Sequence, residues 1–170
     1  GFYYTDAEET SSYQKADLPE QTDLSLLDYA DTATDCTMEK GSEGITVSNL
    51  GADPNVVFPG VASCFADNDK LYGLSLTVDA PDETEMAVYY QTEGDEGFSA
   101  EKVYTFKVTE DNRTWEHLVP GGITELRVDV SSPVESAVIN NFELKSCDIT
   151  ESGYTALKES GVDEVTFSDS

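Results

Sequence analysis

His117 is the one histidine in a chain of 170 residues, so imidazole chemistry of any kind, as general base, proton shuttle or ligand, falls to it alone. It follows the single tryptophan by two residues in the run Thr114-Trp115-Glu116-His117-Leu118-Val119, and no serine or cysteine nucleophile stands beside it in sequence. There is no nucleophile elbow, no P-loop and no GxGxxG fingerprint. Paired carboxylates could act as in glycoside hydrolysis, but 35 Asp and Glu residues generate many accidental pairs. Nothing in the residue pattern indicates catalysis, and the chain reads as a non-enzyme.

Two acidic turns offer the hard oxygen donors that Ca²⁺ takes, Asp67-Asn68-Asp69 and Glu93-Gly94-Asp95-Glu96-Gly97. Asp67, Asp69, Asp95 and Glu96 are therefore candidate metal ligands, with calcium the candidate ion. Neither turn has the glycine and glutamate positions of an EF-hand loop, both also read as ordinary polar turns, and no motif requires a cofactor. Cys36, Cys64 and Cys147 lack CxxC or CxxH spacing, and one histidine cannot complete a zinc finger of the usual type. One disulfide plus a free thiol and three buried thiols both stay open. Asn112-Arg113-Thr114 is a formal N-glycosylation sequon, meaningful only in a eukaryotic secretory setting.

The aromatic residues suggest binding. Sugar rings present C–H faces that pack on aromatic rings, while carboxylates and amides take hydroxyls. If Met86, Val88 and Tyr90 form the apolar face of one strand, Tyr89 points outward. The stretch around Trp115 has apolar residues at both parities, so the indole reads equally as core or as surface. Tyr89, Trp115 and His117 are the candidate ligand-binding residues, on the expectation of an aromatic platform edged by Asp, Glu and Arg.

These side chains must be positioned by something, and the texture of the chain says what. Residues 1–41 are rich in Asp, Glu, Ser and Thr, with no sustained period and one short apolar knot at Leu24, Leu26, Leu27 and Tyr29. They read as an acidic arm or stalk, partly docked through that knot, with the folded domain spanning 42–170. From there short alternating runs are separated by turn chemistry: 45–50, 56–65, 71–80, 86–91, 103–108, 114–119, 123–130 and 138–144. About eight short strands at such regular spacing predict an all-β antiparallel sandwich. The expected inward set is Leu74, Leu76, Val88, Tyr90, Tyr104, Phe106, Leu126, Val128 and Phe142. Residues 154–160 predict a helical turn or two before a last strand at 162–167.

Charge excludes several partners. Nine Lys and Arg against 35 Asp and Glu give a net charge of −26. Nine scattered cations cannot neutralise a phosphate backbone, and the excess carboxylate repels anionic lipid. No apolar run is long enough for a membrane span. A solvated acidic surface, adaptation to high salt and divalent-cation binding all fit the surplus. Like-charge repulsion favours a monomer when the domain is isolated, and screening by salt should stabilise it. The first residue is Gly1 rather than Met, as expected of a piece of a longer protein.

Residues Leu71 to Lys145 resemble jelly-roll modules of the carbohydrate-binding, galactose-binding-like class. Leu71-Tyr-Gly-Leu-Ser-Leu-Thr-Val-Asp-Ala80 is similar to their opening strand. Asn112-Arg-Thr-Trp115, Pro120, Ile123-Thr-Glu-Leu-Arg-Val-Asp129 and Val138-Ile-Asn-Asn-Phe-Glu-Leu144 resemble their closing half. Val88-Tyr-Tyr-Gln-Thr-Glu-Gly-Asp-Glu-Gly-Phe-Ser-Ala-Glu101 looks like a segment of sandwich domains attached to bacterial cell-envelope glycosyltransferases and polysaccharide-handling membrane proteins. Leu126-Arg-Val-Asp129 is similar to a Leu-Arg-x-Asp motif of those sandwiches, with Val130 where proline commonly follows. The resemblance implies a jelly-roll fold, and it implies that Arg127 and Asp129 are structural, pairing across the sheet. It further implies a non-catalytic extracytoplasmic domain at the cell surface, part of a larger membrane-associated protein, that binds or positions a glycan for a membrane-embedded partner. A structural or adhesive spacer with no sugar ligand is the alternative.

Overall fold

In the computed structural model, residues 15–18, 22–131 and 135–167 are described. They fold as two antiparallel sheets packed face to face. The strands are β1 (Lys15–Leu18), β2 (Thr22–Ser25), β3 (Thr32–Thr34), β4 (Thr37–Gly41), β5 (Gly44–Ser48), β6 (Asn55–Phe58) and β7 (Lys70–Asp79). After them come β8 (Thr84–Thr92), β9 (Val103–Val108), β10 (Thr114–Pro120), β11 (Ile123–Val130), β12 (Ser136–Thr150), one helix α1 (Glu151–Glu159) and β13 (Glu164–Phe167). One sheet has six strands, ordered β10-β7-β12-β5-β4, with β2 also on β12; the other has five, ordered β3-β6-β11-β8-β9. β1 and β13 form a separate parallel pair.

Among the described residues only the hairpins β4–β5 and β8–β9 keep consecutive strands of the sandwich within one sheet. Every other connection from β2 to β12 crosses between the layers, the jelly-roll habit that the sequence resemblance implied. Between β3 and β4 that crossing is made by Asp35, which adopts a left-handed φ of 55°. Its carbonyl accepts from Gly51 N and its carboxylate from Asp53 N, tying the two crossings together. Gly44 turns the β4–β5 hairpin at φ +123°, where a Cβ would stand 2.0 Å from the Ile139 carbonyl oxygen of β12. Only glycine allows the hairpin to lie this close to its neighbour.

Period-two alternation drives the packing. Leu74, Leu76 and Val78 of β7 face Leu126, Val128 and Val130 of β11 across the core, and each is at most 1% exposed. Phe58 and Phe142 meet edge to face at 4.9 Å in the middle, both wholly buried. Of the expected inward set, Tyr90, Tyr104 and Phe106 point inward yet are only half-buried. They stand where the edge strand β9 leaves the gap between the sheets open to one side.

The boundary expected at residue 42 moves. Residues 22–41 are woven into both sheets: Leu24 of β2 registers with Leu144, Ala33 of β3 with Val56, and Met38 of β4 with Val47. Leu26 is fully buried in the main core, and the apolar knot is a short 3-10 turn over Leu27–Tyr29. β3 and β4 each turn a single residue partly inward, which is too little to register as alternation. Residues 1–14 and 19–21 of the expected arm lie outside the described residues.

Helix α1 starts three residues earlier than expected, because the Thr150 hydroxyl caps it by accepting from Gly153 N at 3.0 Å. Tyr154 and Leu157 pack with Ile149 over Leu71 and Leu118, closing one end of the six-stranded sheet's outer face. No helix among the described residues is long and apolar enough to cross a membrane. Cys36 and Cys64 are free thiols; Cys36 Sγ donates to Asn55 O at 3.6 Å, and burial pushes its thiol pKa up. The side chain of Cys147 is outside the described residues.

Candidate functional site

Register places the candidate residues on two different surfaces. Tyr89 of β8 pairs with Val103 on one side and Arg127 on the other, and its ring projects from the outer face of the five-stranded sheet. Trp115 of β10 pairs with Leu76, whose side chain is core, so the indole points between the sheets. It stacks on Phe106 at 4.9 Å and meets Tyr104 at 5.5 Å. His117, two residues on and exposed, lies 4.7 Å from the Tyr104 ring, and Tyr90 stacks on Tyr104 at 5.7 Å. Burial pushes the Tyr104 hydroxyl pKa well above the usual tyrosine value.

Trp115 and His117 thus belong to an aromatic row that closes the open side of the sandwich between edge strands β9 and β10. They do not share a face with Tyr89. The single platform expected from the sequence is divided because Thr114–Val119 takes the inward parity at Trp115, the choice that alternation alone left open.

Tyr89 instead borders a groove of about 500 Å³ on the outer sheet face. Buried Ala87 and exposed Thr105 sit opposite one another in register beneath it. Glu85, Lys107 and Ser131 complete the polar rim. The small Ala87 between Glu85 and Tyr89 is what opens the groove: two long side chains flank a short one on the same strand face. Lys107 Nζ reaches Glu83 at 3.7 Å, an exposed pair of little energetic weight. One aromatic wall with carboxylate, ammonium and hydroxyl groups around a shallow floor can hold a ring that is apolar on its faces and polar at its edges. Of these groups, the sequence reading picked out Tyr89 alone. Glu85, Ala87, Thr105 and Lys107 occupy ordinary outward strand positions and become a site only through the β8–β9 pairing.

On its other side Tyr89 meets Arg127, whose guanidinium carbon lies 4.2 Å from the ring centroid and 5.2 Å from the ring of Phe98. Arg127 Nε and Nη2 donate to the two oxygens of Asp129 at 2.7 and 3.0 Å. The pair runs along β11, between positions two apart on one strand, rather than across the sheet as the resemblance implied. Asp129 is only 6% exposed; burial raises its carboxyl pKa, against the lowering effect of Arg127. Burial acts against the Arg127 charge as well, but Asp129, with smaller help from Asp53 and Tyr89, holds the guanidinium above the ordinary arginine value.

Of the acidic turns, Asp95 is already engaged. Lys102 Nζ contacts Asp95 Oδ2 at 2.7 Å and the Thr92 hydroxyl at 2.6 Å, and Thr92 N donates to the same carboxylate oxygen at 2.8 Å. Glu96 is exposed beside it. Asp67 Oδ1 accepts from Asp69 N at 3.0 Å, a local turn whose backbone is tied by Asp67 N to the Tyr72 hydroxyl and by the Asp69 carbonyl to Glu151 N. Among the described residues no group of three His, Cys, Asp or Glu side chains is gathered to hold an ion.

The clamp on Asp95 has a testable pH signature. The hydrogen bond from Lys102, followed by that from Thr92 N, lowers the Asp95 pKa below the ordinary 3.8. A lowered folded-state value stabilises the loop fully above the unfolded value, and this is lost as pH falls through the lowered one. Amide exchange of residues 93–102, followed from about pH 5 down to about pH 2.5, should show protection lost below the ordinary aspartate value. Lys102→Ala should abolish that transition. Protection that does not change across this range would show that the clamp does not order the loop.

No protein-family model matches this sequence, and no curated protein matches it. Solved structures do. The second N-terminal cellulose-binding domain of β-1,4-glucanase C from Cellulomonas fimi is similar with a TM-score of 0.51 at 15% identity, covering 74% of this chain and 96% of that one. The module named CBM1 of BiXyn10A gives 0.50 at 11% identity, covering 76% and 99%. An agarase, AgWH50C, gives 0.52 at 9% identity, covering 76% of this chain and 25% of that one. The fold is that of a carbohydrate-binding-module sandwich. At these identities the shared property is the jelly-roll arrangement of sheets, and the module-like sandwich here carries its own side chains on that arrangement.

Proposed function

We propose that this chain is a non-catalytic glycan-binding domain and that Tyr89 is its platform, with the groove over Ala87 and Thr105 receiving the sugar. The observation that carries this is an aromatic ring bordering a polar-rimmed groove on the outer face of a sheet in a module-like sandwich. Glu85, Lys107, Thr105 and Ser131 would take hydroxyls while the ring takes a C–H face. Such a shallow site binds weakly, since contact over one ring must offset the ordering of a flexible chain.

The wider setting we propose is extracytoplasmic, at a bacterial cell surface, where the domain positions a polysaccharide for a membrane-embedded glycosyltransferase or similar region of a larger protein. The similarity of Val88–Glu101 to segments of cell-envelope glycan proteins supports it, and that stretch supplies both Tyr89 and the Phe98 loop. Calcium at Asp67, Asp69, Asp95 or Glu96 is not needed for this reading; matched melting curves in CaCl₂ and NaCl would test for it.

Tyr89→Ala, Trp115→Ala and His117→Ala separate the two surfaces. In affinity electrophoresis through hydroxyethylcellulose or agarose, Tyr89→Ala should lose retention while its melting temperature stays within a few degrees of the parent, about the range of a surface substitution. Trp115→Ala should instead lower the melting temperature, because the indole fills the side of the sandwich. Retention unchanged in Tyr89→Ala but lost in His117→Ala would move the site to the aromatic row. No retention of the parent on any neutral polysaccharide would leave the domain a spacer.

A further inference from the structure

We propose that Arg127 is a positioning residue for the glycan platform: locked by Asp129 and capped by Phe98, it holds the Tyr89 ring so that one face is covered and the other is offered to the groove. This rests on the glycan-binding reading above. The covered face is the β11 side, where the guanidinium lies 4.2 Å from the ring centroid. The groove lies on the β9 side; its lining comes from β8 and β9 and, at one end, Ser131, and excludes Arg127. A tyrosine on an open sheet face would otherwise swing between staggered rotamers and lose that freedom on binding.

The restraint is built in layers. Two parallel hydrogen bonds to Asp129 fix the guanidinium plane, which a single contact would leave free to rotate. Phe98 contacts the same guanidinium from the 93–102 loop, and that loop is cinched by Lys102 on Asp95 and Thr92. The cation thus sits against two rings, with its charge matched by a buried carboxylate. Lysine could supply the charge but neither the planar stack nor the paired donors.

The experiment uses the chain with tyrosine rings labelled in ¹³C. Arg127→Met alone leaves Asp129 buried without its partner, so the informative variant is Arg127→Met with Asp129→Leu, which removes both charges and keeps side-chain bulk. In the parent, Tyr89 should show ring signals distinct from those of a freely exposed tyrosine and contacts to the Arg127 side chain. The double variant should fold, show an averaged Tyr89 ring and lose retention on neutral polysaccharide by about tenfold, the scale of a cation–π contact. Arg127→Lys should fall with the double variant rather than with the parent. An unchanged Tyr89 ring in the double variant would overturn the proposal, as would a released ring with undiminished retention. In both cases, loss of retention in Tyr89→Ala would leave the platform reading standing. A parent that no polysaccharide retains would fail that reading and this role with it, while the ring signals would still report whether Arg127 orders Tyr89.

Discussion

Phe142→Ala should cost about 3–5 kcal/mol, the range for emptying a fully buried aromatic site. Phe142 has no exposed surface, registers with Leu76 on β7, and meets Phe58 of the opposite sheet edge to face. The ring therefore joins the layers at their centre. Deleting it removes the aromatic contact, about 0.5–1.5 kcal/mol beyond burial, and leaves a cavity between two hydrogen-bonded sheets. Those sheets cannot close on it without breaking register. Against a typical stability of about 5–15 kcal/mol, a loss of this size is a large fraction of the total. Urea melts should show a lower midpoint at constant slope. Phe106→Ala should cost less, because that ring is only partly buried at the rim of the core, where it stacks on Trp115. Equal costs at the two positions would mean that the β9–β10 side is as closed as the centre.

Removing residues 1–41 should abolish cooperative unfolding altogether. The deletion takes β1 from β13, β2 from β12, β3 from β6 and β4 from β5, so that four strands lose a partner at once. Unpaired edges invite association between chains, and the truncated protein should aggregate even where some sheet persists. It also removes Leu26, which is wholly buried and whose backbone N–H donates to Phe142 O at 2.7 Å. Leu26→Ala isolates that part of the effect and should cost about 2–5 kcal/mol on its own. A sharp, reversible melt of the 42–170 fragment would instead show that the segment only decorates a self-sufficient sandwich.

These two expectations mark the division between what the chain states locally and what it states only when folded. β9 and β11 run over the residues that alternation picks out, Val103–Val108 and Ile123–Val130, because both are long enough for several side chains to alternate into one buried layer. The outward position of Tyr89 follows from the same rule, since Val88 and Tyr90 on either side of it turn toward the core. The breakers between the alternating runs set the all-β class with no help from tertiary contacts. The acidic composition likewise bars phosphate backbones and anionic lipid whatever the fold.

Pairing decided the rest. β3 and β4 are strands because β6 and β5 offer them open edges; their own residues, Thr-Ala-Thr and Thr-Met-Glu-Lys-Gly, carry no pattern that distinguishes them from a loop. Trp115 took the inward parity because β10 registers against Leu76 and Leu74, a choice made across the sheet and invisible along it. The groove beside Tyr89 exists because Ala87 meets Thr105 across β8–β9, and the stacked Arg127 lies there because β11 runs on the other side. Periodicity records which way one side chain points relative to the next; which residues become neighbours is set by strand partners far away in sequence. A binding surface is made of neighbours, so its residues could be named from the chain only one at a time.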